Sequence, residues 1–278
     1  MSLDPAVVMA LQSFITDAHL EGQALLIGGQ ALRDWGARIQ HVLSASRPPL
    51  APPALRATSD IDVHLALGPE GNTALEATLG AGWNPNPHKT FRFHWKQNAA
   101  VTLDLVTTLP TEGAKTAKRV KTLVKIGTSG QDIGAVRVFP RWVMDIPLME
   151  PCHTPAFALL GISRLSHLGL LASKVVAINN VVDAHVQAGR PGGSLPKWVT
   201  DENRIDKDLG DVDTLLNRAW VDHLWSPLTT AQRQLTETHL GEVVATFRSL
   251  RGCTASLSAT LFLMIQRIAP ALDRIMRL

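Results

Sequence analysis

The stretch Asp60-Ile-Asp-Val-His-Leu-Ala-Leu67 constrains this chain more than any other, because Ile61, Val63, Leu65 and Leu67 alternate with the residues between them. A period of two marks a strand with one buried face, so Asp60 and Asp62 project together from the opposite side. Two carboxylates that close repel each other. The arrangement is costly unless a cation neutralises it or one carboxylate takes a proton.

The flanking sequence supplies candidates to share that face. Ala24-Leu-Leu-Ile27 reads as a short buried strand ended by Gly28-Gly29, and a helix follows with Leu32, Trp35, Ile39 and Val42 or Leu43 on one side. At Gly28 and Gly29 the backbone can approach a ligand closely, and the N–H groups of the following helix favour an anion such as a triphosphate. The pair also fits a plain turn between strand and helix. In Val101-Thr-Leu-Asp-Leu-Val106, Val101, Leu103 and Leu105 face one way and Asp104 the other. If this strand lies beside the Asp60 strand, three carboxylates converge and can hold two metal ions. Oxygen-only ligands favour Mg²⁺ over zinc or copper, and such a centre suits in-line attack on a phosphate.

The rest of the first half reads as a mixture of helix and strand. Val7, Val8, Leu11, Phe14 and Ile15 predict a helix within 5–20, and another is expected near 71–80. Phe91–Trp95 and Val101–Val106 read as a hairpin joined by Lys96–Ala100, and Ala135–Phe139 as a further strand. Residues 156–162 are ambiguous between strand and buried helix. From Ser166, a candidate cap, Leu168, Leu171, Val175 and Ile178 recur at helical spacing, and helices are expected near 205–219, 228–250 and 255–277. A polar loop is expected over 188–200. The expectation is an α+β domain over 1–155 and a mainly helical C-terminal domain over 156–278.

Composition excludes several classes. Among 278 residues, 45% are hydrophobic and 18% charged, which fits a folded domain with a core and argues against disorder. The net charge of +3 is a weak indication of an anionic partner. Cys152 and Cys253 lie far apart at no metal-ligand spacing, so a reduced compartment is expected. The apolar stretch Cys253–Gln266 is too short to cross a bilayer and no secretory signal is seen, so a cytoplasmic location without membrane attachment is expected. There is no tyrosine, which excludes tyrosine self-modification. Lys115, Lys118, Arg119, Lys121 and Lys125 form a basic run that reads as a solvated face or an RNA-acceptor surface. His64, His94 and His153 have no partners at metal-ligand spacing and read as structural.

The succession strand–Gly-Gly–helix, Asp-x-Asp on a strand and a lone Asp on a later strand resembles the DNA polymerase β-like nucleotidyltransferase superfamily. Arg56-Ala-Thr-Ser-Asp-Ile-Asp62 resembles the form found near the AbiEii/AbiGii toxin group, and Leu170-Leu-Ala-Ser-Lys-Val-Val-Ala177 and Lys207-Asp-Leu-Gly-Asp211 are similar to its helical motifs. The resemblance implies a nucleotidyltransferase fold, with a mixed sheet flanked by helices and a helical domain after it. It implies an enzyme that binds ATP or another NTP and moves NMP to an acceptor hydroxyl with release of pyrophosphate. Asp60, Asp62 and Asp104 would hold two Mg²⁺ ions, and Asp104 would also take the acceptor proton. Gly28, Gly29, Lys174 and Lys207 would contact the nucleotide or acceptor, with Asp208 and Asp211 orienting the lysines. The acceptor would be an RNA such as tRNA, or a protein, in a toxin-antitoxin setting with a possible antitoxin partner.

Two departures stand against that pattern. Gly29 occupies a position where Ser is usual, and thirty residues separate Gly29 from Asp60 because the Pro-rich segment 44–57 looks inserted. A surface loop absorbs such length at modest entropic cost. Other readings stay open: a drug-modifying transferase, a catalytically inactive binding protein of the same fold, a snorkelling surface role for Lys174, and ordinary helix-surface pairs for Lys207, Asp208 and Asp211. A haloacid-dehalogenase-like phosphatase also uses Asp-x-Asp, but its nucleophile ends an apolar strand, whereas here the apolar strand follows the pair.

Overall fold

Asp4 opens the first helix, α1 (Pro5–Asp17): its side chain accepts a hydrogen bond from the Ala6 N–H at 2.9 Å, and Pro5 sits where a helical N–H is not needed. Val7, Ala10, Leu11, Phe14 and Ile15 are its buried face. Val8 is only partly buried, since a turn of about 100° per residue leaves it at the edge of the stripe centred on Val7, Leu11 and Phe14. The computed structural model describes residues 4–45, 58–65, 73–87, 89–110, 135–139, 149–189, 191–194 and 203–217, with scattered positions from 229 to 273. The chain divides into two compact units, Met1–Ser166 and His167–Leu278.

In the first unit the chain order after α1 is β1 (Ala24–Ile27), α2 (Gly28–Ala45), β2 (Asp60–Leu65), α3 (Thr73–Gly82), β3 (Trp83–Asn86), β4 (Lys89–Trp95), β5 (Asn98–Pro110), β6 (Ala135–Phe139), β7 (Met149–Pro151), α4 (Pro155–Leu159) and β8 (Ser163–Leu165). Among the described residues the strands form one mixed sheet in the order β3-β4-β5-β2-β1-β8-β7, with β6 alongside the far end of β5. This is an α+β fold with helices flanking a mixed sheet. The buried runs Leu26, Ile61, Val63, Leu65, Leu103 and Leu105 form its core with Phe14, Trp83 and Trp95. Phe14 meets Trp83 edge-on at 6.0 Å between centroids, which seats α1 against β3.

Three strands escape a sequence reading. β3, β7 and β8 are four, three and three residues long, too short for a period of two to emerge, and β3 and β7 contain proline. The segment 156–162 lies largely in the one-turn helix α4 and the turn after it. β8 pairs in parallel with β1, Leu25 opposite Ser163, so the sheet-bearing unit extends to Ser166.

A fully buried carboxylate anchors this late addition to the sheet. Asp34 on α2 accepts the N–H groups of His153 and Thr154 at 2.8 Å each and the Thr154 hydroxyl at 2.6 Å, and it pairs with Arg164 Nε at 2.7 Å. The Arg164 guanidinium lies 3.8 Å from the centre of the Trp35 ring, whose Nε1–H donates to the Leu165 carbonyl at 2.9 Å. A buried charge of this kind is tolerable only with its hydrogen-bond capacity filled.

The second unit contains α5 (His167–Ala188) and α6 (Asn203–Leu215). Leu168, Leu171, Val175 and Ile178 are buried as their spacing predicts, and Ser166 immediately precedes α5. The expected helices at 228–250 and 255–277 lie mostly outside the described residues, as do the basic run at 115–125 and the inserted segment beyond Ala45.

Candidate functional site

Strand register assembles the acidic residues. β2 runs parallel to β5 with Asp62 opposite Asp104 and Asp60 opposite Thr102, while β4 runs antiparallel to β5 with Arg92 opposite Asp104 and His94 opposite Thr102. Directly opposed residues share a face. Two rows therefore cross three strands: Arg92–Asp104–Asp62 and His94–Thr102–Asp60. On the other side of β2, the antiparallel strand β1 ends with Ile27 opposite Asp62, which delivers Gly28 to the same carboxylate. Gly28 has a φ of +66°, and a β-carbon built there would overlap Asp62 Oδ2. Only glycine suits this position.

Short polar contacts fix the entrance to β2. Thr102 Oγ1 donates to Asp60 Oδ1 at 2.7 Å, and the Asp60 N–H donates to Thr58 Oγ1 at 3.2 Å. Gln30, buried in the first turn of α2, donates through Nε2 to the Thr58 carbonyl at 2.9 Å. The Gly-Gly turn and the Asp-x-Asp strand are thereby tied to one another. Asp60 and Asp62 remain partly exposed; Asp104 is buried.

Arg92 is the residue that sequence reasoning missed. Its Nε and Nη2 donate to the two oxygens of Asp104 at 2.7 Å each, and Nη2 lies 4.0 Å from Asp60 Oδ1. The forked pair is the strong form of a charge-assisted contact. Burial nevertheless raises the Asp104 carboxyl above its usual range, outweighing the opposing effect of the Arg92 bond, and Asp62 and Asp60 add to the rise. The bond to Asp104 in turn raises Arg92. The available signal was the alternation Phe91-Arg-Phe93, but a bulge between His94 and Trp95 sets the partner. Continued from Trp95 opposite Asn98 without that bulge, the hairpin would face Arg92 with Val101.

A second group lies in the second unit. Lys174 on α5 is buried, with Nζ 2.8 Å from Asp208 Oδ1 and 2.6 Å from Asp211 Oδ2 on α6. Asp208 and Asp211 are three residues apart and so share a helix face. Burial pulls the Lys174 ammonium down, but the two carboxylates together outweigh it and raise the group. Lys174 is thus no snorkelling surface lysine, and Asp208 and Asp211 are buried rather than helix-surface partners. Lys207 is only partly buried.

His94 and His153 take part in contacts that hold the fold, and burial governs His64 and Cys152. His94 contacts Asn86 Nδ2 at 3.0 Å and the Ala99 carbonyl at 3.2 Å, and His153 gives its backbone N–H to Asp34. Burial lowers the pKa of His64 and pushes the Cys152 thiol up to about 12, which leaves that sulfur protonated and inert.

As a donor set, Asp60, Asp62 and Asp104 offer only carboxylate oxygens from one sheet face, which suits a hard cation such as Mg²⁺. Among the described residues no three His, Cys, Asp or Glu side chains are grouped around a common metal position. Among the described residues no helix is long and apolar enough to cross a membrane. The chain matches no family model, no curated protein and no solved structure.

Proposed function

We propose that the chain is a Mg²⁺-dependent nucleotidyltransferase that moves NMP from an NTP, ATP among the candidates, to an acceptor hydroxyl and releases pyrophosphate. The observation that carries this reading is the register of β2 and β5, which sets Asp62 beside Asp104 with Asp60 one step along the same face. Asp60 and Asp62 would hold the metal, and Asp104 would complete the set and accept the acceptor proton. Bound there, Mg²⁺ would neutralise the triphosphate and favour the ionised form of the acceptor hydroxyl.

The protein's own groups have distinct tasks. Gly28 leaves backbone in contact with the acidic face, and with Gly29 it opens the N-terminus of α2, where N–H groups favour phosphate. The resemblance alone assigns Lys174 to the nucleotide or acceptor; within its own unit its ammonium is held by Asp208 and Asp211. Lys207 is assigned to the same partners. The acceptor is an RNA such as tRNA or a protein, in a cytoplasmic toxin-antitoxin setting with an antitoxin as partner; a drug-like acceptor belongs to the same chemistry. The phosphatase reading is disfavoured because Asp60 begins β2 instead of ending it.

One observation favours a second reading, a catalytically inactive binding protein: Arg92 neutralises part of the acidic set without any metal. A single experiment separates the two. The protein is incubated with each α-labelled NTP, Mg²⁺, total RNA and lysate protein, beside an Asp60→Ala/Asp62→Ala control. Transfer of label by the native chain alone supports the enzyme; equal labelling by the control sinks it, and no labelling with retained NTP binding favours the binding protein.

A further inference from the structure

We infer that Arg92 is a positioning residue that serves as the resident cation of the acidic site, fixing Asp104 and limiting the free protein to a single divalent ion. The inference rests on the reading of Asp60, Asp62 and Asp104 as metal ligands. A guanidinium is planar and permanently charged, and two parallel bonds at 2.7 Å define both the location and the plane of the Asp104 carboxylate. The same group stands 4.0 Å from Asp60 Oδ1, so its charge is shared between two rows of the site. It also comes from β4, a different strand from either acidic one, placed there by the bulge between His94 and Trp95.

Charge balance gives the consequence. Three carboxylates and one guanidinium leave two net negative charges, which one divalent cation cancels. A second ion entering without an accompanying anion would make the site positive in partly buried surroundings, which is unfavourable. The side-chain exposures of 22% for Arg92 and 5% for Asp104 put the cation on the more accessible side of the pair. Asp104 therefore stays aligned before any metal arrives, at the cost of weaker metal uptake.

The test titrates Mn²⁺ into the native chain, Arg92→Gln, Arg92→Lys and Asp60→Ala/Asp62→Ala, following binding calorimetrically and by electron paramagnetic resonance, with label transfer measured in parallel. The native chain is expected to bind one Mn²⁺. Arg92→Gln should bind it about threefold tighter or more, because a positive neighbour is gone, while kcat falls about tenfold or more because Asp104 is no longer held. Arg92→Lys keeps the charge but not the fork, so it should retain native affinity and lose kcat. A merely structural arginine would lower binding and turnover together. Folded Arg92→Gln with unchanged or weaker Mn²⁺ binding overturns the inference alone. If Arg92→Gln does not fold, Arg92→Lys decides: native kcat in that variant overturns the inference. Native chain and double variant binding Mn²⁺ equally overturns the metal-site reading and the inference with it.

Discussion

Gly28 and Asp62 lie so close that no β-carbon fits between the backbone of one and the carboxylate of the other. Gly28→Ala therefore meets two penalties, the overlap and a φ of +66°. The left-handed backbone alone costs a non-glycine residue about 1–2 kcal/mol, so a loss of about 2 kcal/mol or more is expected in denaturant midpoints. Combining it with Asp62→Ala should recover the overlap part and leave the backbone part. Gly80→Ala, within α3 and with nothing near the new carbon, is the control and should be neutral or stabilising by up to about 1 kcal/mol.

The Asp34–Arg164 pair is a fully buried charge contact in the first unit, with side chains 0% and 1% exposed. Asp34→Ala strands a buried guanidinium and three donors from residues 153–154, and should cost about 3–5 kcal/mol. Arg38→Ala removes the exposed partner of Glu150 at 3.1 Å and should cost about 0.5 kcal/mol or less. Thermal unfolding of both variants measures the contrast. Equal losses would show that Asp34 does not anchor β8 as argued.

What could be read in the sequence were features with a long period or a local cause. The alternation in β2, the strand–Gly-Gly–helix succession and the hairpin of β4 and β5 are all present near the expected limits. Asp104 beside Asp62 was conditional on strand neighbours, and the parallel register of β2 and β5 fulfils that condition. Arg92 and Thr102 were not legible, because their partners depend on a bulge and on a crossover between distant strands. β8 was hidden for a related reason: Arg164 within a three-residue strand looks polar, and partners distant in the chain, Asp34 and Trp35, make it a core residue.

Lys174 offers a test of how a buried ion triad is balanced. Lys174→Met leaves Asp208 and Asp211 adjacent, buried and without the cation between them. That single change should cost about 3–5 kcal/mol. Adding Asp208→Asn and Asp211→Asn removes two buried negative charges that face each other, so the triple variant should be more stable than Lys174→Met despite two further substitutions. Denaturation of the single and triple variants measures this non-additivity. A triple variant less stable than the single would mean that the carboxylates are stabilised by groups other than Lys174.

His167 makes the second unit acid-sensitive. It is buried at the start of α5, its Nε2 2.8 Å from the Leu215 carbonyl, so the neutral ring carries its proton on Nε2. Burial pushes its pKa down from 6.5 to about 4, against the smaller raising effect of that bond. Below 6.5 the unfolded chain takes up a proton that the folded chain refuses. The contribution to stability is therefore complete above pH 6.5, declines as pH falls towards about 4, and levels off below it. The whole window corresponds to about 3 kcal/mol. His64 and His185 are also lowered by burial, so His167→Gln should flatten the pH dependence of denaturant midpoints between 7 and 4 without abolishing it. An unchanged slope in that variant would mean that His167 is already charged in the folded chain at pH 5, and that burial does not exclude its proton.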